Sequence, residues 1–347
     1  MKKMKFLVMA ILAVVLIGAF VQSTNEKARM ETQASEKPLT AQAVNALTET
    51  ARDEYKADFW RLDAKDQASL PINFRMSSEP IKKDGKKNPD LTGLSELGVS
   101  GSGQMSKQQM TALVERLKQN AQGPIYIVDL RQESHGFLNG EAASLYGKRN
   151  WGNIGKSTDD IVQEEKDSLR NVKNENVDVY ELTKDKKPNK ESNLNLFVKS
   201  AQTEQEVASA AGARYFRITS TDHIWTDAKN VDRFIAFYKA LPQNAWLHFH
   251  CEAGKGRTTT YMILYDILRN GTGVSLEDIA DRQYLMGGED VLAEHKEKDS
   301  EKKSEGWKNN FETERASMIR LFYQYAAENP QLDVTWSEWL QKHEAAK

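Results

Sequence analysis

NAWLHFHC (244–251), followed by EAGKGRT (252–258), is the stretch that decides the fold of this chain. The first part is a short apolar run with the length of a buried strand, and RTTTYMILYDILRNG (257–271) continues it as a helix. Backbone amides at a strand–helix junction can surround an anion, and the helix N-terminus adds partial positive charge. The stretch therefore predicts a phosphate-binding loop made by Glu252, Ala253, Gly254, Lys255 and Gly256.

Two side chains at the ends of this loop predict nucleophilic catalysis. Cys251 would lie beneath the phosphorus atom, where the positive field favours its thiolate form. Arg257 follows six residues later and can grip two phosphate oxygens as a fork. A thiolate under a bound phosphoryl group is placed for in-line attack, which gives a phosphocysteine intermediate. Thr258 can give its hydroxyl to the sulfur, and His250 is expected either to order the loop or to tune the thiol.

The leaving oxygen needs a proton donor. Asp222 lies in TSTDHIWTD (219–227), just after the predicted strand RYFRIT (214–219). A loop at the carboxyl end of a neighbouring parallel strand reaches the same edge of the sheet. We therefore expect Asp222 to be the general acid in the first step and the base in the second. Asp227 is the competitor, but it stands where a helix cap is expected.

The rest of the chain alternates helices with short buried strands such as PIYIVDL (124–130). Helix starts are predicted at Ser106, Thr203, Asp227 and Ser275. This alternation predicts an α/β fold with a central, mostly parallel, twisted sheet flanked by helices. Residues 79–103 are rich in Gly, Pro and Lys and are predicted as a loop. Residues 137–200 have no sustained period. Long loops or a small β-rich inserted subdomain would fit them, and we predict the inserted subdomain.

Composition limits the function classes. The 347 residues carry 48 Lys+Arg against 50 Asp+Glu, so a broadly basic nucleic-acid binder is excluded. The single cysteine excludes an intrachain disulfide. His248 and His250 alternate along one strand and suggest a metal pair, but no third ligand is near in the sequence. We expect no metal, no cofactor and no nucleic-acid partner, and a monomer or a weak homodimer.

The N-terminus has the form of an export signal. Lys2, Lys3 and Lys5 precede an apolar run over 6–21, and a polar stretch follows. We predict a signal peptide over 1–23, a polar linker over 24–54 and a catalytic domain over 55–347. The predicted location is secreted or periplasmic, and association with the outer surface stays open. An uncleaved membrane anchor is the alternative.

HCEAGKGRT (250–258) resembles the His-Cys-x5-Arg-Ser/Thr signature of the protein tyrosine phosphatase superfamily. Together with FWRLD (59–63), GPIYIVDLRQESHG (123–136) and TEQEVASAAGARYFRITSTDH (203–223), it resembles the bacterial cysteine phytases, the tyrosine-phosphatase-like inositol polyphosphate phosphatases. This resemblance implies a tyrosine-phosphatase-like fold. It also implies stepwise, metal-independent removal of phosphates from myo-inositol hexakisphosphate (phytate) and lower inositol polyphosphates.

The resemblance also assigns roles. Cys251 is similar to the nucleophile, Arg257 to the loop arginine and Asp222 to the general acid. Further residues fall at places that resemble substrate-phosphate contacts: Arg61, His223, Lys308, Arg315 and, in a stretch that aligns less well, Lys186.

The chain departs from the family pattern at Lys255, at Asn150, where an Asp is expected, and at Arg315, where a Lys is expected. Lys255 adds a charge near flanking phosphates, as in the tensin-like lipid phosphatases. A phosphotyrosine or phosphoinositide phosphatase, a phosphate-binding module without catalysis and a rhodanese-type sulfurtransferase are the alternatives.

Overall fold

The computed structural model describes residues 40–45, 47, 49–82, 85–293 and 306–345. The predicted signal peptide and most of the predicted linker lie outside the described residues. From Thr40 onward the chain forms the short helices α1 (Ala41–Asn45) and α2 (Glu49–Arg52). Ala41 and Val44 are buried in the main core, so this part of the predicted linker packs onto the folded unit. The domain boundaries drawn from the sequence stay a prediction.

A five-stranded sheet carries the strand that ends at the cysteine. Its strands, in spatial order, are β10 (Arg214–Arg217), β4 (Ile125–Asp129), β11 (Trp246–His250), β3 (Val99–Ser102) and β2 (Arg75–Met76). The first four are parallel, and β2 is antiparallel to β3. All of β11 is buried, as expected for a central strand covered on both faces. The chain therefore leaves β4, β10 and β11 at one common edge.

Helices cover both faces of this sheet. Ile127 and Trp246 pack in a core with the helices α3 (Lys107–Lys118) and α5 (Glu204–Ala210). Val128 and Leu247 belong instead to the larger core. Since successive strand residues point to opposite faces, the two cores lie on opposite sides. The larger core includes residues of five helices from the C-terminal half of the chain: α6 (Ala228–Ala240), α7 (Gly256–Asn270), α8 (Leu276–Leu285), α9 (Asn309–Glu328) and α10 (Trp336–Ala345).

The predicted helix starts are confirmed. Ser106 and Thr203 each accept a bond from the N3 amide and form a capping box. Asp227 and Ser275 accept from the N3 amides of α6 and α8. Each side chain satisfies an amide that the helix cannot pair. These local signals position the helices that support the loop after β11.

A second sheet of six strands lies in the same folded unit. Its strands, in spatial order, are β8 (Leu194–Phe197), β7 (Asn176–Tyr180), β1 (Phe59–Ala64), β6 (Glu141–Tyr146), β5 (His135–Leu138) and β9 (Ala201–Gln202). Helix α4 (Thr158–Val172) is also part of this region. Most of these elements fall in the segment 137–200. The third strand in the order, β1, comes from much earlier in the chain and pairs with β6 and β7.

One part of the chain differs from the prediction. The loop predicted over 79–103 ends in strand β3, which pairs with β11 from Val99 to Ser102. Three of the seven residues 97–103 are glycines, so the strand has little side-chain signal. A Cβ at Gly101 would lie 2.6 Å from Met262 Sδ and 2.8 Å from Thr258 Cγ2, so a larger residue there would require α7 side chains to move. The strand forms because it fits between its neighbours, not because of its own propensity.

No helix among the described residues has the length and apolar character needed to cross a membrane.

Candidate active site

In the loop after β11, the carbonyl groups of residues 252–255 accept hydrogen bonds from residues outside the loop. Three of them accept from side chains or amides elsewhere in the fold: Glu252 O from Gln104 N at 2.9 Å, Ala253 O from Asn73 Nδ2 at 2.9 Å and Gly254 O from Arg75 Nη1 at 2.8 Å. Lys255 O accepts from Thr259 N of α7 at 2.8 Å. With the carbonyls engaged in this way, the amides are left for an anion.

The backbone of this loop could not be made without glycine at one place. Gly254 has a φ of +72°, and a Cβ there would lie 2.3 Å from the backbone nitrogen of Gly103. Among the described residues, the amides of 252–255 donate no hydrogen bond. Together with the first amides of α7, they have the arrangement that the predicted phosphate-binding loop requires.

Cys251 lies at the base of the loop and is buried. Thr258 Oγ1 donates to its Sγ at 3.1 Å, as expected from the sequence. The ring of His250 lies with its Nε2 atom 2.6 Å from Glu204 Oε1 and 3.9 Å from Asp129 Oδ1. His250 O also accepts from the amide of Leu130. The backbone bond to Leu130 joins the ends of β11 and β4, while the ring lies beside two buried acids. The role of His250 stays a prediction.

Arg257 is fixed by a carboxylate that the sequence analysis did not single out. Glu133 accepts from Nη1 at 2.8 Å and from Nη2 at 2.9 Å, a bidentate pair. Burial disfavours the charged guanidinium, but Asp222 and Glu133 raise the pKa of Arg257 well above its usual range. Burial also opposes ionisation of Glu133, but Arg257 and Arg131 lower the pKa of that carboxyl group. Both partners are therefore charged, and the fork is held in one orientation.

Asp222 lies on the opposite side of Arg257. Its Oδ1 is 3.2 Å from Arg257 Nε, and its carboxylate also accepts from the amide of His223 at 3.0 Å. Trp151 Nε1 donates to the Asp222 carbonyl at 2.9 Å, which holds the backbone. Burial raises the pKa of Asp222, but the charges of Arg257 and His223 outweigh it and the pKa lies below its usual value. Paired with Arg257 in this way, Asp222 is a carboxylate. Asp227 caps α6 instead.

Asn150, one of the departures from the family pattern, connects two predicted site residues. Its Nδ2 donates to Asp222 Oδ2 at 2.8 Å, and its Oδ1 accepts from Arg61 Nη1 at 3.0 Å. The residue is buried and has a φ of +60°. An amide can serve both neighbours, since it offers a donor to the carboxylate and an acceptor to the guanidinium.

Two further predicted contacts lie around this centre. Arg61 on β1 is buried, and its Nε donates to Asp63 at 2.6 Å. Its Nη2 is buried without a hydrogen bond among the described residues. The ring of His223 lies 5.1 Å from that of Trp307. Burial lowers the pKa of His223, and the nearby charges of Lys308, Arg257 and Arg315 oppose the effect of Asp222.

The C-terminal helices bring two more cations to this edge. Arg315 on α9 is buried against the start of α7, where a Cβ on Gly256 would lie 2.8 Å from its Nη1. Lys308 Nζ lies 5.9 Å from the ring centroid of Trp307. Both residues act on the pKa of His223, so they belong to the same basic region.

Two predicted contacts have other surroundings. Lys255 Nζ donates to Gly287 O at 3.1 Å and lines a small cavity with Arg75 and Lys82. Burial and Arg75 lower the pKa of Lys255. Lys186 is exposed in a turn, where its amide donates to Thr183 O. No side-chain hydrogen bond or ion pair joins Lys186 to the loop in the part of the chain that the structure describes.

A buried group of charges beneath the loop is the other feature that the sequence analysis missed. Asp129, Glu204 and His250 each place a ligand atom within 4.8 Å of the others, and they are the described residues that could hold a metal ion. Positive charge is already present there. Arg217 Nε lies 3.2 Å from Asp129. Burial lowers the pKa of His135, but Asp129 and Glu165 outweigh it, and the pKa is raised to about 10. A protonated His135 and Arg217 therefore compensate these acids.

Comparison with known proteins identifies the family. A family model for PTP-like phytases, described by the words inositol hexakisphosphate, matches residues 128–269. A PTP-like phytase structure from Bdellovibrio bacteriovorus is 34% identical, with a TM-score of 0.64, over 83% of this chain and 96% of that one. The chain belongs to the PTP-like phytase family. The tyrosine-phosphatase-like α/β fold implied by the sequence is thereby confirmed.

Two structures from Mitsuokella multacida are also similar to this phytase-family chain. The tandemly repeated PTP-like phytase is 43% identical with a TM-score of 0.78, over 83% of this chain and 49% of that one. The PTP-like myo-inositol phosphatase, in complex with myo-inositol-(1,3,4,5)-tetrakisphosphate, is 40% identical with a TM-score of 0.78, over 93% and 55%. An effector protein of Pseudomonas syringae pv. tomato is 29% identical over 80% of this chain and 59% of its own length. The chain thus spans about half the length of these first relatives.

The contact between Asn150 and Asp222 predicts a change in pH dependence. Replacing Asn150 by Asp removes a donor and adds a like charge beside Asp222, so the pKa of Asp222 rises. A general acid works in its protonated form, so the alkaline limb of the kcat/KM profile should move to higher pH. The measurement is kcat/KM against pH with a phosphate monoester substrate.

The control for this variant is Asn195→Asp, in which an amide donating to the exposed Asp178 at 2.7 Å is changed in the same way. That variant should leave the profile in place. An Asn150→Asp profile that coincides with the wild-type profile would show that Asp222 is not the proton donor.

Proposed function

We propose that this protein hydrolyses phosphate monoesters of myo-inositol polyphosphates, phytate included, one phosphate at a time through a phosphocysteine intermediate. The observation that carries this proposal is the assembly of an amide cradle, a buried thiol and a fixed guanidinium at one edge of the sheet. Membership of the PTP-like phytase family supports the substrate class.

The first step forms a sulfur–phosphorus bond. The Cys251 thiolate attacks phosphorus, the bond from phosphorus to the ester oxygen breaks, and Asp222 gives that oxygen its proton. Asp222 is ionised while it pairs with Arg257. A phosphate in the loop engages Arg257, and its negative charge favours protonation of the nearby carboxylate. Substrate binding therefore prepares the acid.

The second step returns the enzyme to its starting state. Asp222, now a carboxylate, takes a proton from a water molecule that attacks phosphorus. The sulfur–phosphorus bond breaks, and the Cys251 thiolate and inorganic phosphate are released. The hydroxyl of Thr258, which donates to Sγ at 3.1 Å, stabilises negative charge on sulfur as it leaves. The amide cradle stabilises the transferring group in both steps.

The basic region around the loop supports a polyphosphate as the substrate. Arg61, Lys308 and Arg315 lie with His223 around Asp222 and Arg257, so several phosphates of one ligand can be contacted at once. The myo-inositol phosphatase of Mitsuokella multacida is described in complex with an inositol tetrakisphosphate. We extend that substrate class to this chain. The same proposal includes turnover without a metal ion, by a monomer or a weak homodimer.

The test is a chromatographic time course of inositol phosphates formed from phytate by the purified protein. We expect successive loss of phosphates, unchanged by EDTA. Asp222→Asn should reduce turnover by roughly 10²–10⁴, the usual range for a general acid. Asp227→Asn is the matched control, since Asn also caps a helix and, among the described residues, the Asp227 side chain accepts hydrogen bonds from Asn230 at the start of α6. Hydrolysis of a phosphotyrosine peptide or a phosphoinositide without hydrolysis of phytate would contradict the proposal.

The location is also a proposal, and it rests on the leader sequence. We propose that the chain is secreted or periplasmic, with the signal peptide removed after Ser23. Sequencing the N-terminus of the protein recovered from the periplasm or the medium should give Thr24 as the first residue. Recovery of the full chain in the membrane fraction would favour the uncleaved anchor instead.

A further inference from the structure

Two consecutive residues beside the proposed acid have an unusual backbone. Arg149 has φ 61° and ψ 14°, and Asn150 has φ 60°. Residues with a side chain rarely adopt the left-handed region, and such strain is concentrated at functional sites. The contacts of Asn150 with Asp222 and Arg61 account for one of the two. They do not account for Arg149, whose side chain faces elsewhere.

The guanidinium of Arg149 is stacked on aromatic rings. Its Cζ lies 3.9 Å from the ring centroid of Trp307 and 5.1 Å from that of Trp151. The side chain is half-buried. Within the described residues, the guanidinium has no ion pair and no hydrogen bond. Arg149 is close enough to Glu54 to help lower the pKa of that carboxyl group, but Glu54 already pairs with Lys148.

Both rings also touch the loop that carries Asp222. Trp151 Nε1 donates to the Asp222 carbonyl at 2.9 Å, and the ring of Trp307 lies 5.1 Å from that of His223. Trp151 therefore lies between Arg149 and Asp222, and Trp307 lies between Arg149 and His223. It lies at the same edge as Lys308, which is also near Trp307.

We propose that Arg149, held on Trp307, is a phosphate-binding residue outside the loop. It takes a phosphate group that neighbours the reacting one on the same inositol ring. The proposal rests on the proposed function, because only a ligand with several phosphates can reach the loop and Arg149 together.

The chemistry of the stack fits this task. A guanidinium lying on an aromatic face keeps its N–H edge available, and that edge matches two phosphate oxygens. The ring fixes the side chain in advance, so less entropy is lost when the ligand binds. Lys148, the next cation along the chain, instead pairs with Glu54. Arg149 and Lys148 are thus adjacent cations of equal charge with different surroundings, which makes them a matched pair.

The test measures ligand binding in a Cys251→Ser background, in which no turnover occurs. Calorimetry is carried out with myo-inositol hexakisphosphate and, separately, with inorganic phosphate. Arg149→Met keeps an apolar side chain on Trp307 and removes the charge. It should weaken the binding of hexakisphosphate about tenfold, or about 1.4 kcal/mol, and leave the binding of inorganic phosphate unchanged. Lys148→Met should leave the binding of both ligands within about twofold, since the Lys148 ammonium is exposed and already pairs with Glu54.

Two results would overturn the subsite. Equal weakening of both ligands by Arg149→Met would mean that Arg149 only supports the fold of the loop. Unchanged binding of hexakisphosphate would mean that no phosphate reaches it. Arg149→Lys is a second test, because it keeps the charge but loses the planar fork. Its affinity for hexakisphosphate should lie between that of the protein with Arg149 and that of Arg149→Met.

The proposed function can fail separately. If the protein with Cys251 intact releases no phosphate from hexakisphosphate while Arg149→Met still weakens binding selectively, the function is wrong and the subsite stands. If phosphate is released and the binding of hexakisphosphate is unchanged by Arg149→Met, the subsite alone is wrong.

Discussion

The rest of this site depends on one buried cation between two carboxylates. Glu133 holds both terminal nitrogens of Arg257, while Asp222 lies 3.2 Å from its Nε atom. Glu133 already pairs with the buried charge of Arg257, so Asp222 is the partner that another anion can displace. A phosphate is such an anion. Glu133 then keeps the fork oriented, and Asp222 becomes free to be protonated. In the proposed mechanism, Glu133 orients Arg257 and Asp222 transfers the proton.

The two sheets together provide this arrangement. The carboxyl edge of the parallel sheet delivers the cysteine loop, the loop with Asp222 and the segment with Glu133. The other sheet contributes Arg61 through β1, and Asp63 on the same strand pairs with the buried Arg131 at 2.8 Å. The two sheets are therefore joined by an ion pair. Asn150, which contacts the proposed acid, also comes from the β-rich segment, although that segment is far from the cysteine in sequence.

The sequence was informative wherever the signal was local. The strand, glycine loop and helix around Cys251 were predicted because their residues are adjacent, and so were the caps at Ser106 and Thr203. Strand β3 was missed because its glycines serve packing by α7 and leave no apolar pattern. Glu133 was missed because it is separated from Arg257 by 124 residues. In a sequence, a buried Glu cannot be distinguished from an exposed one. Only the fold shows that Glu133 lies beside Arg257.

Asn150 illustrates the same limit. The sequence marked it as a departure that removes a charge, but its two partners are 72 and 89 residues away. Only the fold shows that an amide at this position can serve a carboxylate and a guanidinium at once. Resemblance to a family can suggest roles that rest on such contacts, whereas the spacing of residues along the chain does not reveal them.

The most direct measurement of the account is to trap the covalent intermediate. Protein mixed with an inositol polyphosphate, quenched in acid within the turnover time and digested should yield a peptide phosphorylated on Cys251. The account predicts this adduct, its accumulation when Asp222 is replaced by Asn and a substrate with a good leaving group is used, and its absence when Cys251 is replaced by Ser. Continued hydrolysis by a Cys251→Ala protein, with no adduct on any residue, would contradict it.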